Sequence, residues 1–201
     1  MDLWSAHIKS FGLGNFLGLT GTVILSEGST LEGFSIDCRN LSFCITAKNA
    51  PNISIMRNTI TNTDKALDLD NISGKIIGNS ILANIHSLKL INSTYVMITR
   101  NKFQSSNLRY QDNILITNSN DINFRNNLCL KGFSTLKVQN SFLVTVANNI
   151  ISKGQNFGIF FQNTSNSTAI NNAIFNNNVG VVVFNSEQSN IQSSDIVYNF
   201  F

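Results

Sequence analysis

The chain has 201 residues, 42% hydrophobic and only 12% charged, against about 25% charged in an ordinary soluble domain. That balance excludes a disordered chain and a long charged helix, and the length suits one domain with a continuous core. The net charge of +3 comes from scattered basic residues, which excludes a nucleic-acid footprint, and no apolar run reaches the roughly 18 residues of a membrane span.

Residues 1–20 lack the basic start and compact apolar run of a signal peptide. Residues 1–22 read as a lead-in and an incomplete cap, because 11–25 is Gly-rich turn and strand with no amphipathic capping helix. Cys38, Cys44 and Cys129 make no disulfide framework. Cys38 and Cys44 could pair across one turn, but free thiols are the expectation. His7 and His86 are far apart, so no zinc or copper site is expected.

Asparagine is the outlier, with 32 copies. It is a poor helix former that tolerates left-handed backbone and favours turns. From residue 31 onward one phrase recurs: apolar, x, apolar, x, x, Asn, x, apolar. It brings Asn58, Asn79, Asn101, Asn127, Asn149 and Asn172 into register. A second series, Asn49, Asn71, Asn92, Asn118, Asn140, Asn163 and Asn185, advances by 22, 21, 26, 22, 23 and 22 residues. The gap from each of its first six members to the next residue of the first series is 9, 8, 9, 9, 9 and 9. Two series in step over six coils mark an internal repeat.

Before each Asn of the second series lies an alternating strand, with inward pairs such as Leu67/Leu69, Leu88/Leu90, Ile159/Phe161 and Val181/Val183. Two further short strands follow in each repeat, carrying Ile53/Ile55 or Val96/Ile98, and then Ile60 or Phe103. Three strands within about 22 residues, with no helical pattern, make one turn of a β-helix. The predicted fold is all-β: a right-handed, single-stranded parallel β-helix (solenoid) of about 7–8 coils with Asn ladders, spanning residues 23–201. Coils about 4.8 Å apart give a rod roughly 35–40 Å long, and stacked asparagines can pass amide hydrogen bonds from coil to coil.

Irregular coils stand out from this frame. The 26-residue interval carries a longer polar turn at 104–112, expected to protrude. Gly74 takes an inward position. Asn171, Asn172, Asn176, Asn177 and Asn178 should widen a late turn. The last phrase, from Asn190, starts a coil and stops at Tyr198-Asn-Phe-Phe201, so missing flanking coils or an oligomer partner are expected at the ends.

The segment Gly28-Ser-Thr-Leu-Glu-Gly-Phe-Ser-Ile36, with the Asn-x-Ile repeats after it, resembles the right-handed β-helix repeat family of the pectin-lyase-like superfamily. Its closest look is to NosD-type β-helix proteins, and it covers about residues 23–198. The resemblance implies a secreted, periplasmic or cell-surface protein and a polysaccharide partner. Pectate lyases of the superfamily use acidic calcium ligands and a basic catalytic residue, and its hydrolases use clustered aspartates. No such motif carries over here residue by residue.

The resemblance places the substrate groove on the outward side of the strand before the second Asn series. There Asp68, Asp70 and Lys89 are the candidate catalytic residues, and Asp68 and Asp70 the candidate calcium ligands. Lys48, Lys137, Gln139, Phe160 and Gln162 are candidate substrate contacts. A solvated charge ladder is the plainer reading of the acids and lysines. Phe160, Val182 and Phe184 read as a seat for a loop or an oligomer contact, or as a sugar-stacking surface. His86 reads as a solvated loop histidine, and Cys129 as core. Six Asn-x-Ser/Thr sequons, at Asn40, Asn52, Asn71, Asn92, Asn163 and Asn166, read as by-products of composition.

Three functions follow as expectations: a carbohydrate-binding or scaffold module; a polysaccharide lyase or glycoside hydrolase; or a structural stalk or spike segment. No cofactor is expected beyond the candidate calcium, and fold alone does not choose among the three.

Overall fold

A computed structural model describes residues 7–9, 17–106, 110–197 and 199. Most of the lead-in, the tip of the 104–112 turn and the residues Tyr198, Phe200 and Phe201 therefore lie outside the described residues. Every named strand pairing is parallel, and no described residue is helical. The chain is a right-handed parallel β-helix of about eight coils.

Three strand stacks run along the rod. Sheet A holds Val23–Leu25, residues 45–47 and 67–69 within longer strands, and then His86–Ile91, Ile114–Thr117, Ser134–Gln139, Phe157–Gln162 and Val179–Phe184. Sheet B includes Thr30–Glu32, Thr94–Thr99, Asn120–Arg125 and Phe142–Ala147. Sheet C includes Ser80–Ala83, Lys102–Ser105, Leu128–Leu130 and Ile150–Ser152. Pairing starts before residue 23: His7–Lys9 lies against Thr30–Glu32, and Leu17–Thr20 against residues 34–37.

The inward columns follow the alternation. Ile45, Leu67, Leu88, Ile114, Leu136 and Ile159 stack in one of them, all buried. Phe103 and Phe124 stack in the middle, ring centroids 6.0 Å apart. Val183 departs from its expected inward burial and is 40% exposed. Its strand is covered on one side only among the described residues.

The two Asn series do different physical work. Asn58, Asn79, Asn101, Asn127, Asn149 and Asn172 are all buried. In each of the five steps the Oδ1 of the next coil's Asn accepts both the backbone N–H and the Nδ2–H of its neighbour, at 2.8–3.1 Å. Each Nδ2 also donates to a sheet B carbonyl of the previous coil, such as Ile76 for Asn101. The corner's buried polar groups are thereby satisfied.

The second series is exposed. All seven members have left-handed backbone, φ 47–53°, a conformation asparagine accepts more readily than most residues. Its amides meet only locally: Asn71 donates to Asn49, Asn163 to Asn140, and Asn92 to Asp70. The buried ladder at this corner belongs to the next residue. Ser93, Ser119 and Ser141 accept the backbone N–H of Ile72, Ser93 and Ser119 in turn.

One expectation changes in the first coils. Cys38 and Cys44 are joined by a disulfide, with Cα atoms 5.4 Å apart and both residues buried. Free thiols were favoured because the sequence does not reveal how tightly the backbone folds between them, and Arg39 and Asn40 both turn left-handed there. Cys129 is buried and free, as core. Gly74 does take the inward register position between Ile53 and Val96. Its φ is +127°, and a Cβ there would overlap the Ile53 carbonyl.

Candidate functional site

The outward side of sheet A carries two columns in register. One runs Thr46, Asp68, Lys89, Leu115, Lys137, Phe160, Val182. The other runs Lys48, Asp70, Ile91, Thr117, Gln139, Gln162, Phe184. Period-2 alternation sends every one of these side chains outward once its neighbours face the core. The structure thus brings all the sequence candidates onto one face, divided into two patches along the rod.

The first patch is a groove of about 450 Å³, whose lining includes Lys48, Asp68, Asp70, Lys89, Ile24, Phe43 and Ile91. Lys89 Nζ stands 3.9 Å from Asp68 Oδ1. Both side chains are partly solvated, so the pair contributes at most about 1 kcal/mol. Asp70 Oδ1 accepts a 2.9 Å hydrogen bond from Asn92 Nδ2. Lys65 places its ammonium 4.7 Å from the centroid of the Phe43 ring. The groove offers carboxylates and ammonium groups beside an apolar floor, and each aspartate already has a protein partner. No cluster of three or more His, Cys, Asp or Glu side chains suited to a metal occurs among the described residues. Two carboxylates fall short of the roughly six to eight oxygens of a calcium site, so this pair alone does not fit the ion.

The second patch is aromatic. Tyr110 contacts Phe133, Phe133 contacts Phe157, and Phe157 contacts Phe160, with centroids 5.9, 6.4 and 4.9 Å apart. Lys137 Nζ lies 5.3 Å from the Phe160 ring centre. Gln139 and Gln162 are paired in register beside it. Phe160 was legible as outward from alternation. Tyr110, Phe133 and Phe157 were not, because they sit in or beside the turns leading into sheet A, where no period applies.

His86 differs from its sequence reading. It opens a sheet A strand and is buried, and its Nδ1 meets the Asp112 carbonyl. A carbonyl only accepts, so Nδ1 carries the proton. Burial holds the imidazole below its ordinary 6.5, outweighing the opposite pull of Asp112. Asp112, at the end of the irregular turn, meets this residue, which strand spacing alone does not reveal.

Stacked parallel coils, a buried amide ladder and one chemically varied outer face define a parallel β-solenoid. The sequence matches the family described as right handed beta helix region over residues 87–200, and the chain belongs to that family. No curated protein matches it. Among solved structures it is similar to the Dettilon tailspike protein, with 10% identity and a TM-score of 0.45, over 89% of this chain and 54% of that one. The chain thus spans about half the length of that structure.

Proposed function

We propose that this chain is the carbohydrate-contacting rod of a secreted or surface-exposed protein, taking polysaccharide along the exterior of sheet A. The groove at Lys48, Asp68, Asp70 and Lys89 carries the reading. Its ammonium groups suit the carboxylates of an acidic glycan, its carboxylates accept sugar hydroxyls, and its apolar floor suits the C–H faces of the rings. The groove's lining runs over successive coils from Ile24 to Ile91, so it suits a polymer lying along the rod. A calcium ion enters this reading only if ligand or water oxygens complete the coordination begun by the two aspartates. The Cys38–Cys44 disulfide supports an oxidising location, because such bonds persist outside the reducing cytosol.

A glycan array with and without calcium tests the proposal. Retention of polygalacturonate or alginate, weakened by Asp68→Ala with Asp70→Ala, is the expected result. Full retention by that double variant would remove the groove from the account. Chain cleavage of either polymer, abolished by the same pair, would turn the binding surface into an active site.

A further inference from the structure

The outer face of sheet C belongs to neither patch of sheet A, and its late coils are apolar. Two outward columns run there in register. One is Lys102, Leu128, Ile150, Ala173, Asp195; the other is Gln104, Leu130, Ser152, Phe175, Val197. The residues between them, Phe103, Cys129, Ile151 and Ile174, fill the core, so alternation leaves both columns outside. Over the three coils from Leu128 to Phe175 neither column carries a charge, and Ser152, the polar member, is buried. Ile150 is 46% exposed. The equivalent outward column of sheet B is polar at Asn123, Thr145 and Thr168. An apolar strip therefore faces water where a one-sided sheet ordinarily places polar residues. The charges of the first column stand only at its ends. Lys102 lies two coils before Ile150 and Asp195 two coils after it. Both are exposed, and neither forms an ion pair among the described residues.

We propose that this face is a dimer interface, on which a second copy of the chain docks antiparallel about a two-fold axis that runs along the strands at the level of Ile150. That axis sets each column against its own copy with the coil order reversed. Ile150 meets Ile150, Leu128 faces Ala173, and Leu130 faces Phe175. Lys102 faces Asp195 at one end, and Asp195 faces Lys102 at the other. Packed sheets lie about 10 Å apart, a gap that a lysine and an aspartate side chain span together. Opposite charges at equal distances from one apolar centre make the face complementary to itself, as a two-fold contact requires. A parallel pair, related by an axis along the rod, would set Lys102 against Gln104 and Asp195 against Val197 and leave both charges unmatched. Charge placement thus selects both the occupant and its direction. Lys131 and Lys153 follow the strand ends, at the corner toward sheet A, where they stay at the rim. The strip measures about 20–25 Å by 10–13 Å, on the order of 300 Å² per copy. Stable interfaces use roughly 800 Å² per partner, so the dimer is reversible and weak.

Sedimentation equilibrium of the chain over about 5–500 μM tests the interface. A monomer–dimer equilibrium with Kd of about 10–100 μM is the expected result. Ile150→Glu places two carboxylates against each other on the axis and should abolish the dimer. The position is half exposed in the single chain, and unchanged circular dichroism confirms that the variant folds. Lys102→Glu and Asp195→Lys should each weaken association about tenfold, because each pair occurs twice, and the two changes together should restore it. A chain that stays monomeric at every concentration overturns the proposal, as it would if a different protein occupied the face. A trimer or larger assembly, or a dimer that ignores Ile150→Glu, also overturns it. Single losses that the paired change does not restore exclude the antiparallel arrangement and so overturn it too. Sheet A stays open in this dimer, so Ile150→Glu should retain glycan as the wild-type chain does, and the groove reading stands or falls separately.

Discussion

Asparagine serves two purposes in this chain, and single substitutions separate them. Asn101 is buried, and its Oδ1 accepts both the N–H and the Nδ2–H of Asn79, while its own Nδ2 donates to Ile76 and Thr99 carbonyls. Asn101→Ala strands several buried partners, and each such group costs about 1–3 kcal/mol. Asn118 is exposed with φ 50°, so its contribution is conformational. Asn118→Gly, which keeps left-handed backbone accessible, should change stability by less than about 1 kcal/mol. Urea unfolding of the two variants checks the contrast, and equal losses would contradict it. His86 adds a pH dependence. Its folded imidazole is held below 6.5 by burial, so the unfolded chain binds the proton more readily. The stability it provides is complete above about 6.5 and is lost as pH falls through the lower folded value. Unfolding midpoints at pH 7.5, 6.5 and 5.5 should fall toward acid more steeply for the wild-type chain than for His86→Gln.

At the scale of strands and corners, what repeats was legible and what depends on cross-coil contact was not. Alternation in segments such as Ser87-Leu-Lys-Leu-Ile91 marked inward and outward sides, because a strand has only two faces. The interval between second-series asparagines, 21 residues at this coil, fixed which residues stack, so Asp68 beside Lys89 could be read directly. The hydroxyl ladder was missed, although its signal is present: Ser or Thr follows the second-series Asn at 93, 119, 141, 164 and 186. The four serines among them accept corner N–H groups that strand patterning does not count. The Cys38–Cys44 bridge and the burial of His86 depend on irregular turns, whose backbone path no repeat specifies. Tyr110, Phe133 and Phe157 were hidden for the same reason. Each is unremarkable alone, and only stacking of the coils sets them in a row.

Across the whole molecule, interior uniformity coexists with exterior variety. A solenoid's stability is close to a sum over neighbouring coils, and here every coil boundary from Asn58 to Asn172 is joined by the same amide pairing. The outward residues of sheet A are released from that constraint. They change from charged at Asp68 and Lys89 to aromatic and amide at Phe160 and Gln162 without altering the core. Sequence therefore reports the rod strongly and its ligand weakly, because the most regular residues are those that hold coils together. The central claim is that ligand contact is confined to the outer face of sheet A. Amide chemical-shift mapping tests it most directly, with the chain titrated by whichever glycan it retains. The account predicts shifts clustered in residues 43–48, 65–70 and 86–91, or in 133–139 and 157–162, with sheets B and C unperturbed beyond their corners. Shifts centred on Thr94–Thr99 and Asn120–Arg125, or on Leu128–Leu130 and Ile150–Ser152, would contradict it.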